Sequence, residues 1–318
     1  MRSSSTWMCC GRTLSRNTWI KPSGSMLPGT GGLEEFDLKQ RILSAAVGLC
    51  VLFVVLRFFD TLILNAAVSV ISLLALYEML AATGHIRYRG LSLACFLTAA
   101  WIPFLKTSYF VQLRLFPVLV YLLVVVLFCI LLAKHETLNF EDVGFAFFVS
   151  LFIPLSITTA IYMRDSFGAV LGMFYVLVAL GGAWLCDTCA YFSGVAFGKH
   201  KMAPKISPKK TVEGAVGGVI GALLLLLGVA YLLSHGFAML GSPIEVDYLR
   251  LALISPLLSL TSMVGDLSAS VIKRQCGIKD FGSIMPGHGG VLDRFDSVLF
   301  VMPLVYIIAR HLPLAGLA

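Results

Sequence analysis

The sequence predicts an all-α polytopic membrane protein with about nine transmembrane helices and a cytoplasmic N-terminus. Composition, recurring apolar blocks and the placement of the basic residues carry that expectation. The 318 residues are 58% hydrophobic and only 13% charged, with a mean hydropathy of +0.90. A soluble domain carries roughly a quarter charged residues, because water must solvate its surface. This chain cannot cover such a surface, so its solvent is mostly lipid. Length would allow about two soluble domains, but the apolar blocks recur almost end to end, so one membrane-embedded domain over 41–318 is expected.

Residues 1–40 are polar, with scattered Ser, Gly and Pro and no hydrophobic period. No apolar core follows the first basic residues, so a signal peptide is not indicated. The stretch reads as a disordered extension or as a start placed too far upstream. Beyond it, a helix crossing ~30 Å of hydrocarbon needs about 20 residues. Apolar stretches near that length fall at approximately 42–59, 62–82, 90–105, 114–133, 143–162, 168–190, 213–235, 249–271 and 294–315. The third is short and contains Pro103, and the tight turn from Arg57 to Asp60 makes the first two a hairpin.

The net charge of +7 raises the question of nucleic acid. The basic residues instead sit in short segments between apolar blocks, which sets topology and suits anionic lipid and nucleotide phosphate. With the N-terminus inside, the inner segments hold eighteen Lys and Arg and the outer ones six. No internal repeat is visible, which weighs against a transporter made of duplicated halves.

Eight cysteines form no disulfide framework. Cys50, Cys95 and Cys129 lie inside apolar blocks as small core residues, and Cys9 and Cys10 fall in the polar extension. Cys186-Asp187-Thr188-Cys189 has the C-x-x-C form of a redox pair or half a zinc site. No second Cys/His pair stands at zinc spacing, so an apolar-helix role is favoured. Glu78, the conspicuous acid of the early spans, reads as a cap or as a partner of Arg87 or Arg89.

The chemistry concentrates in two inner stretches. The first runs from Asp187-Thr188 through Phe197-Gly198-Lys199 to Ser207-Pro208-Lys209-Lys210-Thr211-Val212-Glu213-Gly214. Lys199, Lys201, Lys205, Lys209 and Lys210 make a cationic patch, Ser207 and Thr211 add hydroxyls, and Pro204 and Pro208 stiffen the chain. Gly214, Gly217 and Gly218 open the next span, where close backbone approach is expected. These are the parts of a polyphosphate cradle, against the alternative of a loop that only sets topology. The spacing is not that of a Walker A loop.

The second stretch holds Asp266 near the inner end of a span, then Lys273-Arg274, then Lys279-Asp280-Phe281-Gly282, then Pro286-Gly287-His288-Gly289-Gly290 and Asp293-Arg294-Phe295-Asp296. An acid in an apolar helix is costly unless paired or bound, so it marks function. Asp293 and Asp296 are three apart and share a helical face. With Asp266 they form a hard-oxygen set suited to Mg²⁺, unless Lys273, Arg274 and Arg294 pair with them. His288, between glycines, reads as a proton acceptor, a phosphate donor or a cap.

This second stretch, from Ser270-Val271-Ile272-Lys273-Arg274 through Asp293-Arg294-Phe295-Asp296, resembles the signature of the phosphatidate cytidylyltransferase family of bacterial type. The Asp187 to Gly214 stretch is similar to the family too, and the first four spans only weakly. The resemblance implies that CTP and phosphatidic acid give CDP-diacylglycerol and pyrophosphate, with the catalytic part over about 184–298. It implies a divalent metal, Mg²⁺ with potassium left open, at Asp266, Asp293 and Asp296. It also implies a homodimer in the bacterial inner membrane with its active site on the cytoplasmic side. The catalytic set is then Asp266, Asp293, Asp296, Lys273, Arg274, His288 and Arg294, with Lys273, Arg274 and Arg294 expected at the lipid phosphate. Asp187, Ser207, Lys209, Lys210, Thr211, Glu213, Lys279 and Asp280 are expected around the CTP phosphates. The competing readings are a membrane transporter and another membrane lipid-phosphate transferase. The Asp-Gly-x-x-Ala-Arg run of the CDP-alcohol type is absent.

Overall fold

A computed structural model of the chain describes residues 46–105, 115–285 and 289–317. The polar extension with Cys9 and Cys10 lies outside the described residues, as does His288. The helices are α1 (Ala46–Arg57), α2 (Leu62–Ala82), α3 (Arg89–Trp101), α4 (Leu115–Ala133), α5 (Phe140–Phe197), α6 (Val212–Met239), α7 (Tyr248–Gln275), α8 (Leu292–Phe295) and α9 (Val298–His311). Among the described residues, α2, α4, α5, α6 and α7 are long and apolar enough to cross a bilayer. The expectation of a helical membrane protein therefore holds.

The helix boundaries follow local chemistry. Thr61 caps α2 by accepting from the Ile63 N–H at 3.2 Å. Asn139 and Asp142 close a capping box at the start of α5. The 58 residues of α5 would extend about 87 Å if straight, at about 1.5 Å per residue, far beyond one bilayer. They are not straight. Gly168 takes φ +80°, and a Cβ on Gly172 would lie 2.7 Å from the Arg164 Cα. A continuous helix holds such residues about 12 Å apart, so the chain folds back at Gly168. The two apolar runs expected at 143–162 and 168–190 are the two limbs of that turn.

The second limb of α5 is the hub. Phe174, Tyr175, Val178, Ala179 and Ala183 are fully buried, and α5 packs on α2, α3, α6, α7 and α9. On α4 only Leu123 and Leu127 are buried, and Tyr121 and Leu132 point outward as lipid-facing side chains do. The start of α6 lies so close to α5 that a Cβ on Gly218 would sit 2.9 Å from the Ala190 Cβ. On Gly214 it would sit 2.8 Å from the Ala190 carbonyl oxygen. These glycines serve helix packing, which corrects their expected role in letting the backbone approach phosphate.

The all-α expectation holds, with two short strand pairs beside the ends of α6. Strand β1 (Lys201–Ala203) pairs antiparallel with β2 (Ser207–Thr211), and β3 (Ile244–Val246) pairs with β4 (Ala315–Leu317). Outside the helices, backbone groups still require partners, and these hairpin-like pairs supply them. The last expected span, 294–315, is divided accordingly: α8 and α9 cover 292–311, and the end turns into β4. Tyr175 holds that end, accepting from the Leu314 and Ala315 N–H groups at 3.2 and 3.3 Å.

Candidate active site

The site forms where β2, α7, α8 and the second limb of α5 meet. In β2 Lys209 is exposed, while the half-buried Lys210 forms an ion pair with Asp266 of α7. Thr211, buried, caps α6 by accepting from the Gly214 N–H at 3.1 Å. Glu213 accepts from the Lys199 and His200 N–H groups and lies 2.5 Å from the His200 Nδ1. It therefore closes the base of the lysine hairpin. Ser207 is half-buried opposite Ala203.

On α7, Asp266, Ser270 and Lys273 fall near one helical face. Ser270 donates to Asp266 at 3.4 Å. Lys273 Nζ reaches Asp293 Oδ1 at 2.7 Å and also stands over the Phe281 ring. Arg274 donates to the Ile206 and Ile278 carbonyls at 3.1 and 3.2 Å, clasping the lysine hairpin to the end of α7. Lys279 and Asp280 are exposed in the following turn.

The chain from Val291 to Ser297 keeps helical dihedrals, with α8 at its centre. It delivers Asp293 and Asp296, three residues apart, to different neighbours. Asp293 is fully engaged: besides Lys273, it accepts from the Phe281 and Gly290 N–H groups at 2.8 and 3.1 Å. Asp296, 7% exposed, instead shares its surroundings with Asp266 and Asp187, near enough for the three to repel one another. The Ser297 hydroxyl reaches Asp187 at 3.1 Å and Asp296 at 3.5 Å. Gly265 makes this possible, since a Cβ there would lie 2.8 Å from the Asp296 carbonyl oxygen. Arg294 is exposed, and its carbonyl accepts from the Trp184 Nε1–H at 3.1 Å.

The structure thus brings Asp187, Asp266, Asp296, Lys210 and Lys273 together and leaves Lys209, Lys279, Asp280 and Arg294 on the surface. Among the described residues, no three His, Cys, Asp or Glu side chains are already arranged around one cation position. The donor chemistry nonetheless fits Mg²⁺: three carboxylates and serine hydroxyls are hard oxygens. Their crowding is relieved here by the Lys210 ammonium, a positive group standing where a cation would be favoured. Both C-x-x-C cysteines are free; Cys186 is buried beside the Ser259 carbonyl, and Cys189 packs against Gly221.

Two groups escape a reading of the sequence. Ser297 carries no signal of its own. Glu78 does, as an acid in an apolar span, but its partners are neither Arg87 nor Arg89. It accepts from the Val291 and Leu292 N–H groups at 3.0 and 2.7 Å, and Arg87 donates to the Tyr88 hydroxyl. An apolar cavity of about 240 Å³ lies between α5, α7 and α9, with Val149, Phe152, Ala269, Ile272, Phe300 and Asp296 in its lining.

A bundle of apolar helices with a lysine hairpin and a carboxylate cluster at one end defines a membrane-embedded enzyme acting on phosphorylated substrates. The chain belongs to the Cytidylyltransferase family, whose pattern it matches over residues 39–312. It is 35% identical to the phosphatidate cytidylyltransferase of Bacillus subtilis (strain 168) over 291 residues, covering 86% of this chain and 97% of that protein. The phosphatidate cytidylyltransferase of Staphylococcus aureus (strain COL) is 33% identical over 273 residues, covering 85% and 98% respectively. A segment of 137 residues is 45% identical to the Staphylococcus saprophyticus phosphatidate cytidylyltransferase, covering 43% of this chain and 49% of that one.

Proposed function

We propose that this protein transfers the cytidylyl group of CTP to phosphatidic acid, giving CDP-diacylglycerol and pyrophosphate for phospholipid synthesis. The observation that carries the reading is the cluster of Asp187, Asp266 and Asp296 with Lys210 and Lys273, one member of which, Asp296, also lines an apolar cavity. A lipid phosphate and a nucleotide triphosphate need this combination: cationic groups for the phosphates, acids for a metal, and an apolar flank for the chains.

Phosphatidate is already a phosphomonoester anion, so its oxygen needs no strong base. The obstacle is repulsion between two polyanions, and positioning plus charge neutralisation lower it. The acids expected to hold Mg²⁺ are Asp266, Asp296 and Asp293, with Asp187 close enough to join them. Bound there, the ion would polarise the α-phosphate and offset the charge of the attacking oxygen. Lys210 is held by Asp266 and turns to the β- and γ-phosphates when CTP arrives. Lys209, Ser207 and Thr211 lie on the same strand, and Lys279 and Asp280 are exposed in the turn after α7, whose Arg274 bonds the Ile206 carbonyl of the hairpin. Lys273 leaves Asp293 for the lipid phosphate, with Arg294 and Arg274 at the rim. The phosphatidate oxygen then bonds to the α-phosphorus as the bond to pyrophosphate breaks.

The orientation that fits has nine crossings, a cytoplasmic N-terminus and the site on the cytoplasmic side of a bacterial inner membrane; the lysine-rich inner segments support it. The family resemblance supports a homodimer, and potassium alongside Mg²⁺ is part of the same reading. The test is radiolabelled CTP with phosphatidic acid and detergent-solubilised protein. Magnesium-dependent CDP-lipid is expected, and its absence would defeat the proposal.

A further inference from the structure

The first half of the bundle carries none of the expected catalytic residues, yet one of its side chains reaches the site. Glu78 of α2 is 1% exposed, and each of its carboxylate oxygens accepts one backbone N–H, from Val291 and from Leu292. The amides that open a helical run have no partner within it, and this run carries Asp293 and Asp296. The neighbouring amides, of Phe281 and Gly290, go to Asp293. Glu78 therefore holds the opening amides of this run from α2, while Asp293, inside the run, ties it to Phe281.

Space tells the same story. A Cβ on Gly290 would lie 2.5 Å from Glu78 Oε2, and one on Gly282 would collide with Glu78 Oε1. Both glycines are small because this carboxylate fills the room beside them. The contact spans more than two hundred residues of sequence, so no local preference produces it.

We infer that Glu78 is a positioning residue for the transfer reaction. It fixes the 290–293 segment and so sets where Asp296 stands relative to Asp266 and Asp187. The inference rests on the cytidylyltransferase reading for its kinetic consequence, though not for its structural one. Glu78→Gln keeps the side-chain volume but loses one of the two acceptors.

The experiment uses the full-length protein in detergent. In E78Q, kcat should fall about 10- to 100-fold, as when other outer partners of a site are removed. The KM for CTP should change less than about threefold, because the lysine hairpin is untouched. The thermal midpoint should stay near that of the parent. Hydrogen exchange at the 291–292 amides should quicken about tenfold or more. A second variant tests the packing: Gly290→Ala sets a Cβ against the Glu78 carboxylate and should lower kcat, with faster exchange at the same two amides. An unchanged kcat in E78Q, an activity loss that merely tracks a lower midpoint, or unchanged exchange would each overturn the inference. An unchanged kcat in G290A would overturn it as well. Parent protein that makes no CDP-lipid would defeat the functional reading instead, and amide exchange would then decide the role of Glu78 independently.

Discussion

The acids around the site fall into two groups with opposite environments. Glu78 and Asp293 are buried and matched, oxygen by oxygen, to backbone amides and the Lys273 ammonium. Asp187, Asp266 and Asp296 gather together, relieved by Lys210, two serine hydroxyls and, for Asp296, one amide, the Ser297 N–H at 2.7 Å. A satisfied carboxylate fixes geometry, whereas a crowded set of carboxylates invites a cation. The difference separates acids already satisfied in this structure from acids left crowded, where a cation is favoured first.

The comparison breaks most visibly at the crowded group. Asp266→Asn and Asp296→Asn should each lower kcat by about 100- to 1000-fold, the range for loss of a group that stabilises transition-state charge. Their thermal midpoints should hold or rise, because each change relieves repulsion. Steady-state rates with unfolding curves check this, and an active Asp296→Asn enzyme would remove that acid from the metal set.

Asp293→Ala should act in the other direction, on the fold first. Its side chain is 6% exposed and that of Lys273 13%, so removing one partner strands the other charge. Such losses cost about 3–5 kcal/mol, readable as a lower unfolding midpoint. If the protein kept its midpoint and lost only activity, Asp293 would belong with the crowded acids.

The cavity offers a finer probe. Ala269→Phe should narrow it and raise the KM for long-chain phosphatidic acid about tenfold relative to a short-chain form, the scale on which apolar pockets discriminate. Equal sensitivity to both chain lengths would place the acyl chain elsewhere.

The smallest effect is expected at the exposed end of the lysine hairpin. Lys209→Ala should raise the KM for CTP only about three- to fivefold, and less at high salt. Lys210→Met, which frees Asp266, should instead tighten Mg²⁺ binding without nucleotide while weakening CTP. Calorimetric titration of the two variants distinguishes them.

Much of this was legible in the chain. The α2 span matches its expected bounds, and α4, α6 and α7 lie within a few residues of theirs, because twenty apolar residues in a row have few alternatives in lipid. A break between 162 and 168 was also expected, and it falls at Gly168, the first residue of the second run. The short strands were not, since β1 and β4 hold three residues each, too few for any periodic signal.

The sequence by itself determined that this is a membrane protein, where its charges gather, and which residue types could serve phosphate and metal. Composition and spacing are local properties, and lipid punishes any exception to them. Only the tertiary structure decided which acids meet. It joined Asp187 to Asp266 and Asp296, gave Asp293 to Lys273, and set Glu78 beneath the 291–292 amides. Those contacts depend on how closely whole helices approach, through small residues such as Gly265 and Gly218, and packing of that kind leaves no period in the sequence to read.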